Sequence, residues 1–203
     1  MGRRLTVLCL TAAFLLAAST AEGSYRGTLS SVTHRAQLYS FETFDAEIVW
    51  YGTFFDDGFR RAFIDKTVKI KHMEPHEAAL FRAEQESRQE SGWDFFVVMY
   101  TKKDYKKFSL EPDTIWKALL TTGSGESVRP TEIEQVPISP YLKVVYPHFN
   151  RWSKAYRVTF PKVELGNQFW LTMQSVVGES SMKWVVQTAA QRSRGGGNKY
   201  RRR

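Results

Sequence analysis

Beyond Trp93 the hydrophobic pattern changes from mixed spacing to an alternation at period two, the mark of half-buried strands. Phe95 to Tyr100 (FFVVMY) is apolar throughout and predicts a central strand buried on both faces. Ile115 to Leu120 predicts a second strand. Val128 to Val136 predicts a third, which Pro130 assigns to a sheet edge because proline has no N–H for the ladder. In the fourth, Trp152, Lys154, Tyr156, Val158 and Phe160 alternate with Ser153, Ala155, Arg157 and Thr159, and the first set is expected to face the core. Phe169, Leu171 and Met173, then Met182, Trp184 and Val186, mark a fifth and a sixth. Gly178-Glu179-Ser180-Ser181 is the expected turn between them.

Ahead of Ser91 the spacing is helical. Leu38, Phe41, Phe44, Ile48 and Tyr51 recur every three or four residues, so Ala36 to Phe55 is read as a helix, with the run Ile48-Val49-Trp50-Tyr51 as the competing strand signal. Asp56-Asp57-Gly58 reads as a break and N-cap, and Phe59, Phe63, Ile64, Val68 and Ile70 supply one face of the helix that follows. Pro75 opens another, with Leu80, Phe81 and Ala83 as its apolar residues.

Together these elements predict an α+β protein. A helix-rich region over 22–91 packs on or beside an antiparallel, sandwich-like β-domain of about six strands over 92–190. Six strands are too few for an outer-membrane barrel, which needs at least about eight strands of roughly ten residues.

Two terminal segments change the picture. Arg3-Arg4, the fourteen-residue apolar stretch Leu5–Ala18 and small residues through Ala21 have the three parts of a secretory signal peptide over 1–21. As a helix that stretch spans about 21 Å, short of the roughly 30 Å of a bilayer's hydrocarbon core. Export is therefore expected, to a bacterial periplasm or beyond it, with no span after cleavage. Cys9, the only cysteine, falls inside the signal, so disulfides and thiolate chemistry are excluded from the mature chain.

The net charge of +8 is unevenly placed. Arg3 and Arg4 belong to the signal, and Arg192, Arg194, Lys199, Arg201, Arg202 and Arg203 crowd the last dozen residues. The remaining Lys and Arg equal the 21 Asp and Glu. Residues 191–203 are thus expected to be a disordered basic tail, suited to anionic envelope polymers or lipid headgroups. A single glycine-flanked basic tract is thin support for nucleic-acid binding.

Catalytic patterns are missing. His72 and His76 have the spacing of a zinc pair, but Pro75 separates them and Met73 replaces the glutamate of H-E-x-x-H, so no metal is expected. Gly123-Ser124-Gly125 lacks the G-x-S-x-G spacing and reads as a hairpin loop. No nucleotide-binding loop is present, and no cofactor is expected. The most suggestive feature is aromatic. Tyr146, His148, Arg151, Trp152 and Lys154 interleave rings with cations, as a face that stacks on sugars or receives an extended peptide would. The competing reading places the rings in the core and the cations outside it. The function expected is non-enzymatic binding or scaffolding in the envelope. The alternative is an envelope hydrolase acting on glycan or peptide through carboxylates the sequence does not identify.

Overall fold

Apolar on both faces, the run from Phe95 to Tyr100 forms the middle of a five-stranded sheet, as its composition requires. The computed structural model describes residues 25–40, 46–101, 109–110, 114–148 and 152–186. The signal segment, Arg151 and the basic tail lie outside them. In chain order the elements are α1 (25–32), β1 (Thr33–Tyr39), β2 (Ala46–Phe54), α2 (Asp57–Lys71), α3 (Pro75–Ser91) and β3 (Gly92–Thr101). There follow β4 (Lys117–Thr121), β5 (Ser127–Val128), β6 (Glu132–Val136), α4 (Pro140–Val145), β7 (Lys154–Pro161), β8 (Gln168–Ser175) and β9 (Gly178–Val185). The protein is α+β with two antiparallel sheets, ordered β1-β2-β3-β7-β6 and β5-β4-β8-β9.

The five-stranded sheet buries both faces. Toward the other sheet it directs Ile48, Trp50, Phe95, Val97, Tyr156 and Val158, which meet Leu120, Phe169, Leu171, Met182 and Trp184 in one apolar cluster. Toward the helices it directs Phe96, Val98 and Ala155, under Leu29, Phe59, Phe63, Leu142 and Val145. The sheets approach closely at Gly52, where a Cβ would sit 3.1 Å from the Trp184 ring. Two indoles tie β9 to the first elements of the chain: Trp184 Nε1 donates to the Val32 carbonyl at the end of α1 (2.9 Å) and Trp50 Nε1 of β2 to Ser180 Oγ (3.1 Å).

Several expectations need correction. Residues 33–39 and 46–54 are strands, not a helix, and β2 pairs with β3 across the compositional break at Ser91. The stretch Val128–Val136 is not one strand. It divides at Pro130 into β5 in one sheet and β6 in the other, each at an edge. Trp152 precedes β7 and is exposed, whereas Ala155, assigned to the outer set, is buried beneath the helices. The last hairpin turns at Val176-Val177, with Gly178 (φ 133°) opening β9 and Glu179 to Ser181 already in the strand. On α3, Phe81 packs against Phe63, but Leu80 and Ala83 face solvent.

The helix limits follow the expected signals. Asp56 caps α2 by accepting from the Phe59 N–H (2.7 Å). His72 ends it in the left-handed region (φ 49°), and Pro75 starts α3 within a capping box formed by Glu74 and Glu77.

Candidate functional site

Strand lengths in the five-stranded sheet are unequal at one end, and a groove results. Met99 pairs with Lys154, the first residue of β7, and Val136 of β6 pairs with Ala155. Tyr100 and Thr101 of β3 therefore run past β7 on one side, and Pro137 and Ile138 past it on the other. Pro137 lacks an N–H and ends the ladder. Between these extensions lies a groove of about 640 Å³, with Ser153 and Ala155 among its lining and Trp152 and Lys154 on its border. Its apolar side chains are unusually open to solvent: Trp152 is 67% exposed, Ile138 53% and Tyr100 40%. Thr101, Gln135 and Lys154 add hydrogen-bonding groups, and among the described residues no carboxylate lines it. A flat indole beside an ammonium and polar side chains is suited to stacking and hydrogen bonding with a ring or an extended chain.

Of the five residues expected to form one face, the four described ones do not line one cavity. Trp152 and Lys154 border this groove. Tyr146 and His148 lie beyond α4, under the helical layer. Tyr146 is buried and stacked on Phe96 with ring centres 3.8 Å apart and planes 9° from parallel. Burial holds its phenol well above the usual tyrosine range. His148 stacks on Tyr51 (4.7 Å, 27°) and lines a separate cleft with Leu29 and Arg35. Burial lowers its pKa to about 4, and its Nε2 is shut off from solvent with no hydrogen-bond partner among the described residues. Arg151 and the tail residues Arg192, Arg194, Lys199, Arg201, Arg202 and Arg203 fall outside the described residues.

Two residues of the groove carried no functional signal in the sequence. Tyr100 reads as the end of a buried strand, and Ile138 as one apolar residue in a loop between prolines. Their exposure depends on where neighbouring strands stop, which no local pattern encodes.

Other polar clusters resolve into structural roles. Asp94 is clamped by Arg60 and Arg88 and accepts from Thr159 Oγ1, a buried network that borders neither the groove nor the His148 cleft. His72 and His76 are exposed and lie on either side of the α2–α3 junction. Among the described residues, no group of three or more His, Cys, Asp or Glu side chains is gathered in metal-binding geometry, and no helix is long and apolar enough to cross a membrane. No protein-family model, curated protein or solved structure matches the chain.

Proposed function

We propose that the chain is an exported protein of the bacterial envelope that binds, rather than transforms, its ligand, and that the groove beside Trp152 is the binding site. The observation that carries this reading is the 67% exposure of an indole on the border of a groove of about 640 Å³. Exposed tryptophan is costly to solvate and is enriched where a partner covers it. The ligand class that fits best is an envelope glycan, whose sugar faces stack on indole while hydroxyls meet Lys154, Thr101 and Gln135.

We read the architecture as a β-sandwich with helices on one outer face, supported by the single apolar cluster to which both sheets contribute. The hydrolase alternative needs two convergent carboxylates. Among the described residues, the linings of the groove, the His148 cleft and two further cavities hold at most one carboxylate each, Asp56 in one and Glu132 in another, and Asp56 is engaged as a helix cap. The basic tail gives this protein a second attachment, to anionic polymers or headgroups of the envelope.

Calorimetric titration with soluble fragments of envelope glycan tests the groove. Trp152→Ala is expected to weaken binding by about tenfold or more, with an unchanged melting temperature because the residue is exposed. Equal binding by the variant and the parent overturns the assignment.

A further inference from the structure

We propose that one end of the two sheets docks on a lipid surface, with the Val176-Val177 turn entering the boundary between headgroups and acyl chains. Strand register defines that end. Tyr39 pairs with Ala46, Ile48 with Thr101, Met99 with Lys154 and Val136 with Ala155, so β1, β3 and β6 finish where β2 and β7 begin. The β8–β9 turn lies at the same end, because a Cβ on Gly178 would sit 3.1 Å from the Leu38 side chain. Of the ten large apolar side chains exposed among the described residues, six stand here: Tyr39, Tyr100, Ile138, Trp152, Val176 and Val177. Such a majority at one end departs from the scattered exposure that is ordinary on protein surfaces.

The turn is the extreme point of this pattern. Val176 is 89% exposed and Val177 47%. Two-residue hairpin turns normally use Gly, Asn or Asp. Neither valine adopts the positive φ that such residues supply, whereas Gly178 does (φ 133°). Folding therefore makes no demand for valine at either position, and both leave apolar surface in water. The backbone of the turn is closed on itself. The Val177 N–H donates to Ser175 Oγ (3.2 Å), whose hydroxyl donates to the Gly178 carbonyl (3.4 Å). A turn with that N–H already met enters an apolar phase without leaving the donor unpaired.

The chemistry selects lipid over protein. Two valines on a turn cover far less than the roughly 800 Å² per partner of a stable protein interface, and neither lines the groove or the His148 cleft. A bilayer asks for no matching shape, only apolar side chains at the tip, rings with polar edges behind them and few charges between. Trp152, Tyr39 and Tyr100 supply rings suited to the headgroup level. β8 carries no charged residue, and the first on β9 is Glu179, exposed two residues behind Val177, which keeps the entry shallow. This attachment needs no anionic lipid, unlike that of the basic tail, and it does not rest on the glycan reading of the groove.

The test places a nitroxide on the full chain. Cys9 is the only cysteine, so Cys9→Ser with Val176→Cys labels the turn alone, and Cys9→Ser with Lys183→Cys labels a control position further along β9. Each chain is mixed with zwitterionic phosphatidylcholine vesicles at millimolar lipid in about 0.5 M salt, which screens the lysines and arginines. The label at 176 is expected to lose about fivefold or more of its collision rate with a water-soluble nickel chelate, while the label at 183 keeps its rate. Val177→Asp in the first labelled chain should restore most of that rate, with an unchanged melting temperature because the turn is exposed. The proposal is overturned if vesicles leave the rate at 176 unchanged, if both positions lose it equally, or if the loss is indifferent to Val177→Asp. Immobilisation of the 176 label that grows with protein concentration in the absence of vesicles overturns it as well, because a second copy then covers the turn. Glycan titrations of the parent and Val177→Asp should agree, so failure here and failure of the groove assignment are read separately.

Discussion

Asp94 of β3 receives a hydrogen bond from the Arg60 guanidinium of α2 at 3.0 Å, with each side chain only 3% exposed. The other carboxylate oxygen accepts from Thr159 Oγ1 (2.8 Å), and Arg88 of α3 adds longer contacts to both. One carboxylate thus fastens two helices to the sheet. Burial lowers the Arg60 pKa from the usual guanidinium range, opposed by the adjacent Asp94 charge.

Removing Asp94 should therefore cost far more than one surface ion pair. Asp94→Ala strands a buried guanidinium, which costs about 3–5 kcal/mol. Denaturant unfolding should register that loss. The double variant Arg60→Met with Asp94→Leu should recover most of it, because apolar side chains of similar size avoid the desolvation of both charges. A loss under about 1 kcal/mol in Asp94→Ala would show that the pair contributes as a solvated surface pair does.

Asp94 also illustrates what the sequence conveys and what it hides. It precedes the apolar run and reads as a flanking polar residue; only the fold brings Arg60 and Arg88 to it from two helices. The strands beyond residue 154 were legible because Phe169, Leu171 and Met173 alternate cleanly, with one face buried and the other polar. β2 was not, because it buries side chains on both faces. Ile48 and Trp50 point to the other sheet while Tyr51 packs under the helices. Two interleaved period-two sets leave apolar residues at three- and four-residue spacing, which imitates a helix. The groove was half legible: Trp152 and Lys154 stand together in the sequence, but Tyr100 and Ile138 join them only through strand register.

Two glycines should respond to alanine with opposite signs. Gly92 joins α3 to β3 in ordinary extended backbone (φ −172°), so its need for glycine is steric. A Cβ there would stand 2.5 Å from the Phe160 carbonyl oxygen and 2.8 Å from Thr159 Cγ2, and a backbone oxygen in a strand has little room to yield. Gly92→Ala should destabilise by about 2 kcal/mol. At Gly27, within α1, a Cβ meets nothing within 4 Å. Gly27→Ala should stabilise by about 0.5–1 kcal/mol through reduced freedom of the unfolded chain. Thermal melts of both variants check this, and a destabilised Gly27→Ala would contradict it.

The excess positive charge of residues 192–203 makes a separate prediction. Vesicles bearing anionic headgroups should bind the protein weakly, and less so as the Debye length shrinks from about 30 Å at 0.01 M salt to about 10 Å at 0.1 M. A chain ending at Gln191 should lose most of that binding. Undiminished binding by the shortened chain would place the anion-binding surface on the folded body.

Acid should weaken the fold through His148. Its ring lies against Tyr51 and edge-on to Tyr146 (6.0 Å, 67°); among the described residues its Nε2 has no partner and no carboxylate lines its cleft to receive an imidazolium. Burial lowers its pKa to about 4, whereas an exposed histidine titrates near 6.5. The unfolded chain therefore takes up a proton that the folded one refuses between those values. Stability is complete above about pH 6.5, falls as the pH drops through that window, and levels off near pH 4 for this group. The full shift corresponds to ~3 kcal/mol, and the part of the ring that solvent reaches reduces the expected loss to about 2 kcal/mol. His34, edge-on to Trp184 and also lowered by burial, acts in the same direction. His148→Phe keeps an aromatic ring on Tyr51 and removes the titration. Urea unfolding at pH 7, 5.5 and 4 should show a steeper acid loss in the parent than in His148→Phe, the residual slope belonging to His34 and the carboxylates. Parallel pH profiles for the two proteins would mean that the imidazole is protonated in the fold as readily as in water, and that the Tyr51 stack does not exclude the charge.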